Sequence, residues 1–353
     1  MKSDVYFVQL DSLSPEKRLQ ALKKILAKVN PFSVYQKEEI VPVKLTIGDS
    51  PCVYNVAPEL VKWVVGEIKR KGAKPFLFDT SVIYRGQRQN AVDHLNLAQS
   101  KGFGHSRVGA PFVIADGVFG KDGTELEINS TWIKRIKTPS FVGMLDSLVV
   151  LSHLTGHIVS GYAGAIKNVA MGMSCRSTKQ VQHSSLKPSV VTKNCTACGC
   201  CIAICPVKAI SFEEKKAFID QKVCLGCGEC ICACKFDAIN INWHEDAQIF
   251  SQRMVDVAGG ILSKFKNKLF INFAFDITKE CDCISNKDEK MVAQNLGILI
   301  SSDPLSIDKA SSDLALLHKK TNFFKDVSGV YEEMYEYAAQ RGLGNIEYNL
   351  IKV

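Results

Sequence analysis

The sequence predicts an α/β protein, a mostly parallel sheet with helices on both faces, interrupted by a small cysteine-rich α+β insert. Two observations lead there. Short apolar, β-prone runs alternate with amphipathic helical segments on both sides of the chain's middle. Between them, ten of the fourteen cysteines crowd into residues 195–234. The expected division is an α/β part over 1–187, the insert over 188–243, and the rest of the α/β domain over 244–353.

The elements follow in order. "MKSDVYFVQL" reads as a short strand, "VPVKLTIGDSP" as a strand ending in a turn, and "APELVKWVVGEIKRKGAK" as a helix with Pro58 near its start and Gly72 at its end. The apolar stripe of that helix is Leu60, Val61, Val64, Val65 and Ile68. "PFLFDT" completes a β-α-β unit. "RQNAVDHLNLAQSKGFG" is helical, "APFVIADG" and "SLVVLSH" are strands, and "GAIKNVAMG" starts a helix. After the insert come the helix within "AQIFSQRMVDVAGGILSK", the strand "KLFINFAFDI", and a strand and helix in "NLGILISSDPLSIDKASSDLALL".

At 353 residues the chain can bury a sizeable core without disulfides. The start has no signal-peptide pattern, and no window is apolar enough for a membrane span, so a cytoplasmic protein is expected. In a reducing compartment, cysteines in this number point to metal binding or redox chemistry. The formal charge of +8 is spread among acidic residues, as in "EIKRKGAK", which gives no reason to expect nucleic acid.

Displacing the sequence by 29 residues superposes Cys195, Cys198, Cys201 and Cys205 on Cys224, Cys227, Cys230 and Cys234. "CPVKAISF" then meets "CKFDAINI". Paired Cys-x2-Cys would also suit zinc, but zinc does not explain a third and a fourth cysteine at identical offsets in both copies. Two [4Fe-4S] clusters do. In the bacterial two-cluster pattern the fourth cysteine of each run serves the other cluster. One set is then Cys195, Cys198, Cys201 and Cys234, and the other Cys224, Cys227, Cys230 and Cys205. Over residues 188–243 the insert resembles the two-cluster bacterial ferredoxins, although Lys235 stands where the first run has Pro206. Cys200 and Cys232 fall outside the pattern and are expected to be bystanders.

In the α/β domain, Asp49, Asp79, Asp116, His153, Asp276 and Asp303 each end a predicted strand, where open α/β sheets bind ligands. Any one of these aspartates can equally begin a loop or cap a helix. His153 and His157, with Lys167, are the candidate catalytic residues, and Asn168 lies beside them. Gly161 and Gly164 in "GYAGAIKN" bring a helix start beside Lys167 that could admit an anion, a weak signal that fits neither the P-loop nor the dinucleotide fingerprint. Cys281 and Cys283 in "ECDCIS", with Cys175 or His183, are expected to form a third metal or redox site, whereas Cys52 has no second thiol beside it. No hydrolase, zincin or kinase signature is present.

These motifs, "LFDTSVIYRGQRQNAVDHL", "IADGVFG", "SHLTGHIVSGYAGAIKNVAMGM", "KQVQHS", the two cysteine runs, "CDC" and "GILISSDPLSIDKASSDL", resemble in that order a bacterial and archaeal family of uncharacterised iron-sulfur-centre proteins, filed as a domain of unknown function. The resemblance implies an α/β domain carrying a ferredoxin insert and no established substrate. Members commonly carry a lysine where Thr155 stands here, so no role of that lysine carries over. The expectation is single-electron transfer between two clusters and a site in the α/β domain, as in an oxidoreductase acting on a small molecule and served by a redox partner protein. The alternatives are a dedicated electron carrier or adaptor, and an iron-sulfur sensor or assembly factor.

Overall fold

The computed structural model describes the chain except residues 1, 11–13, 85, 184–186, 206, 225–228, 237, 241–246, 284–286, 320–323 and 325–329. Its centre is an eight-stranded sheet. In chain order the strands are β1 (Ser3–Gln9), β2 (Ile40–Lys44), β3 (Lys74–Asp79), β4 (Phe112–Ile114), β5 (Ser147–His153), β6 (Asn267–Ala274), β7 (Gly297–Ser301) and β8 (Tyr348–Lys352). Across the sheet they lie in the order β8-β1-β7-β6-β5-β2-β3-β4. Every neighbouring pair is parallel except those of β7, which runs against both β1 and β6.

Helices cover both faces because side chains alternate along each strand. Leu148 and Val150 of β5 face one apolar core, built on α4 (Ala165–Ala170), α6 (Ala247–Leu262), α7 (Pro304–Lys319) and α8 (Tyr331–Gln340). Val149 and Leu151 face the other, built on α1 (Pro15–Val29), α2 (Pro58–Arg70) and α3 (Ala91–Ser100). In α2 the expected stripe, Leu60, Val61, Val64, Val65 and Ile68, is buried. Burying five such side chains contributes roughly 10 kcal/mol before chain entropy is counted. The helix begins with Pro58 and Glu59 and ends with Lys69 and Arg70, charges that suit its dipole. Pro42 has no N–H to give, and it sits where pairing between β2 and β5 stops, leaving only Val43 and Lys44 in register with Val149 and Val150.

The direction of β7 changes one expectation. An antiparallel strand has its carboxyl end at the opposite edge of the sheet, so Asp303 leaves the cleft and caps α7, accepting from Leu305 N and Ser306 N at 2.9 Å each. Asp276 is also turned away, forming a bidentate pair with Arg18 of α1.

β5 and β6 are adjacent and parallel, and the cysteine-rich segment lies within the connection between them. Its described residues form two-stranded pairs, Ser189–Val190 with Ile239–Asn240 and Ile210–Glu213 with Lys216–Ile219, and short helices Cys200–Ile204 and Glu229–Ala233. They enclose an apolar cluster of their own, containing Cys195, Cys201, Cys230 and Cys234 with Ile210, Ile219 and Ile239.

Candidate functional site

A cavity of about 470 Å³ opens at the carboxyl ends of β2, β3 and β5. Lys44 of β2 and Thr46 just beyond it reach the cavity, as do Asp79, Thr80, Val82, Ile83, Tyr84 and Arg88 after β3, and Ser152 and His153 from β5. The hairpin Thr155–His157 with Gly161–Ala163, helix α4, and the Cys281–Cys283 turn beyond β6 close it. His183 and Phe250 complete the wall, their rings 4.5 Å apart, one on each side of the insert.

The floor is a buried ion cluster. Lys44 Nζ donates to Leu45 O (2.6 Å) and Asn168 Oδ1 (2.8 Å) and stands 3.0 Å from Asp79 Oδ1. Burial pulls its amine down, against the pull of Asp79. Burial alone would raise the Asp79 carboxyl, but Lys44, His94 and Arg88 outweigh it and hold the group below its usual range. Arg88 donates Nη1 to Thr46 Oγ1 (3.1 Å) and Nη2 to Tyr84 OH, and keeps 3.6 Å from both Asp49 and Asp79. Lys179, lowered to about 8 by burial, donates to Thr80 Oγ1 (2.7 Å) and Ser81 O. Asp116 stays behind this layer, taking the Ser81 N–H at 2.9 Å.

The three candidate catalytic residues all line the cavity. His153 has both ring nitrogens engaged, Nδ1 2.8 Å from Asp282 Oδ1 and Nε2 2.9 Å from Phe275 O. A carbonyl only accepts, so Nε2 carries a proton. Burial opposes a second proton, but the Asp282 carboxylate outweighs it and raises the ring above its ordinary value. His153 is therefore a positioning residue that pins Asp282, and with it the cysteines on either side. His157 is held neutral, well below its ordinary value, by burial and by Lys167 and His183. Its Nδ1 accepts from Ser160 N at 3.1 Å, and its ring stacks on Phe250. Lys167 is half-buried; burial opposes its charge, but hydrogen bonding to Cys281 and the nearby Cys283 and Asp282 raise it.

Cys281 and Cys283 are hydrogen-bonded to each other. The Cys281 thiol hydrogen-bonds Cys283 and is driven well above its ordinary value, while that bond, Arg88, Lys167 and Tyr84 hold Cys283 well below its own despite burial. His183, lowered to about 3 mainly by burial, lines the same cavity. Cys175 does not. It precedes α5 (Arg176–Gln182), its sulfur 3.4 Å from Asp122 O, its thiol pushed up to about 12 by burial. The geometry thus removes Cys175 from the expected third site. Cys52 lies behind the turn, 3.8 Å from Asp282 Oδ1. The helix start at Gly164 is also taken: Asp308 accepts from Ala165 N (2.8 Å) and Ile166 N (2.9 Å), which leaves these donors unavailable to an outside anion.

In the insert, Cys195, Cys198, Cys201 and Cys234 line one small cavity of about 20 Å³. Cys205 and Cys224 pack against the apolar cluster that contains Cys230, and Cys227 lies outside the described residues. Main-chain N–H groups reach the sulfurs: Ala209 N to Cys205 (3.2 Å), Ala238 N to Cys234 (3.3 Å) and Ala217 N to Cys195 (3.4 Å). The first two are the same bond in the two repeats. Cys200 is exposed. Among the described residues no three His, Cys, Asp or Glu side chains stand in metal-binding geometry. Four thiols line the one cavity, and main-chain N–H groups donate to two of their sulfurs.

Lys44, Arg88 and Lys179 were not among the sequence candidates. A lysine inside the apolar run "VPVKLTI" was the readable signal for the first; Arg88 and Lys179 sit in polar stretches that carry none.

Among solved structures, the chain is similar to a Thermotoga maritima protein determined by a structural genomics consortium, at 12% identity over 95% of this chain and 61% of that one, with a TM-score of 0.44. It is likewise similar to the lactate racemase apoprotein from Thermoanaerobacterium thermosaccharolyticum, at 12% identity over 84% of this chain and 54% of that one, with a TM-score of 0.43. The chain therefore spans less than two thirds of either. No curated protein matches it. The model of a family described as a domain of unknown function matches residues 41–313, from β2 through most of α7, and the chain belongs to that family, DUF362.

Proposed function

We propose that the chain is an iron-sulfur redox enzyme whose insert holds two [4Fe-4S] clusters and whose large cavity binds the molecule reduced or oxidised. Cys195, Cys198, Cys201 and Cys234 would hold one cluster, and Cys224, Cys227, Cys230 and Cys205 the other. When bound, such clusters supply single-electron steps. The observation that carries the reading is the meeting of His183 and Phe250, one on each side of the insert, in the wall that also contains Cys281 and Cys283.

The chain's own groups support it. The N–H donors of Ala209, Ala217 and Ala238 would stabilise negative charge on the sulfurs. Lys167 and Arg88 favour a thiolate at Cys283. For the Cys281/Cys283 pair, a redox dithiol is better supported than a third metal, because these two cations already occupy the thiols' surroundings and would repel a metal ion. A carrier that only docks a partner has no need of a roomy cavity lined by cations, which weighs against that alternative.

The test is composition. Chain purified anaerobically should hold about eight iron and eight sulfide, as two cubanes require. Cys234→Ser should disturb the cluster of the first run, and Cys205→Ser that of the second. Stoichiometric zinc without sulfide would sink the reading, and a spectroscopic change confined to each variant's own run would refute the crossed ligation.

A further inference from the structure

The cavity beneath the thiol pair is chemically two-sided. Four Lys or Arg side chains line it against two carboxylates, Asp79 and Asp282, and against Cys283, which Arg88 and Lys167 favour as a thiolate. Of the cations, Arg88 is 2% exposed, and its Nε has no hydrogen-bond acceptor among the described residues. The nearest carboxylates, Asp49 and Asp79, stop at 3.6 Å, too far for a good hydrogen bond. A buried guanidinium left short of acceptors is costly unless something else supplies them. Lys167 faces the same space from α4. Val82, Ile83, Val159, Met171 and Phe250 give the wall an apolar stretch, next to the histidines His157 and His183.

We propose that this cavity binds an organic carboxylate with an apolar body, its carboxylate held between Arg88 and Lys167 and its body against Met171 and Phe250. The volume of about 470 Å³ falls among small-molecule sites, which run from about 300 to 1,000 Å³, and far exceeds what a bare inorganic anion fills. A phosphate is ordinarily cradled by main-chain N–H groups at a helix start, and here that start is taken by Asp308. Side-chain cations remain, and a planar guanidinium matches a planar carboxylate. The inference deepens the proposed function by naming a substrate class. It rests on the cavity being the substrate site and not on the clusters.

The experiment is calorimetric titration of the full chain, purified anaerobically, with 2-naphthoate and with its uncharged analogue 2-naphthamide. Naphthoate should bind at one saturable site, and the amide about tenfold more weakly or worse, as loss of a charge-assisted contact implies. Lys167→Met should bring the acid down to the level of the amide, and Met171→Trp, which fills the cavity, should abolish both. Arg88→Gln repeats the first test but removes a buried cation from the ion cluster. Lys167, half-buried, therefore carries the conclusion, with circular dichroism verifying the fold. Equal binding of acid and amide, an acid indifferent to Lys167→Met, or no saturable binding by the folded wild type overturns the proposal. Iron and sulfide measured on the same sample separate the two ideas: naphthoate bound by a chain that takes no cluster refutes the redox reading and leaves this one standing, and the reverse result does the opposite.

Discussion

Replacing Lys44 by Met tests the ion cluster beneath the cavity. Lys44 is fully buried in β2, and its amine meets Asp79, Asn168 and the Leu45 carbonyl within 3.0 Å. Met keeps most of the volume and removes the charge, so what is lost is electrostatic and not a cavity. Removing one partner of a buried pair costs about 3–5 kcal/mol. Arg88, 3.6 Å from Asp79, still screens its carboxylate, which places the charge part near the lower end. Leaving Asn168 Oδ1 and Leu45 O without their donor adds about 1 kcal/mol or more. The expected loss is therefore about 4 kcal/mol, a large share of the ~5–15 kcal/mol that holds a typical domain folded. Urea unfolding followed by tryptophan fluorescence measures it. The double variant Lys44→Met/Asp79→Leu removes the stranded charge and should be clearly more stable than the sum of the single changes predicts. A single variant within about 1 kcal/mol of wild type, or strict additivity in the cycle, would refute the reasoning.

Two further outcomes follow from particular contacts. The His153–Asp282 pair should make stability depend on pH at both ends. The raised His153 contributes fully below its ordinary value of about 6.5 and loses that contribution as pH climbs through the raised folded value; the lowered Asp282 contributes above about 3.9 and loses it as pH falls through its depressed one. His153→Asn should flatten the alkaline limb in thermal melts across pH, and an unchanged limb would show that another group causes it. Gly297→Ala should fail to fold or lose at least about 3 kcal/mol, because Gly297 has φ +146 and an added Cβ would sit 1.9 Å from Val8 O across the β1–β7 pair. A soluble Ala variant with wild-type unfolding would contradict that backbone.

Much of the sheet was legible because each strand carries its own apolar run and each helix its own stripe, as in Leu60 to Ile68. Strand direction was not legible. Nothing in "GILIS" says which way it runs, so Asp303 reads as a cleft residue although it caps a helix. The thiol pair, His153 and His157 were found by their residue type and their place after strands, and His183 by its place at one end of the insert. Lys44 and Arg88 were missed because their role is conferred by Asp79 and Asn168, residues brought alongside only by folding. Asp308 was missed for the same reason: it lies mid-helix, and its partners Ala165 and Ile166 are far away in the chain.

The contact between His183 and Phe250 also governs chain entropy. β5 can pair with β6 only by closing the connection of residues 154–266, and long closures are slow as well as costly. An insert that gathers its own apolar cluster first brings His183 and Phe250 together and removes its length from that loop. By the logarithmic dependence on length, the shortening lowers the closure cost by about 0.8 kcal/mol. β2 and β3, joined through α2 over a short stretch of chain, need no such help. The fold therefore implies an order of assembly in which amides of β3 gain protection in pulse-labelled hydrogen exchange before those of β6, and in which an insert kept unfolded delays β6 while leaving β3 on time.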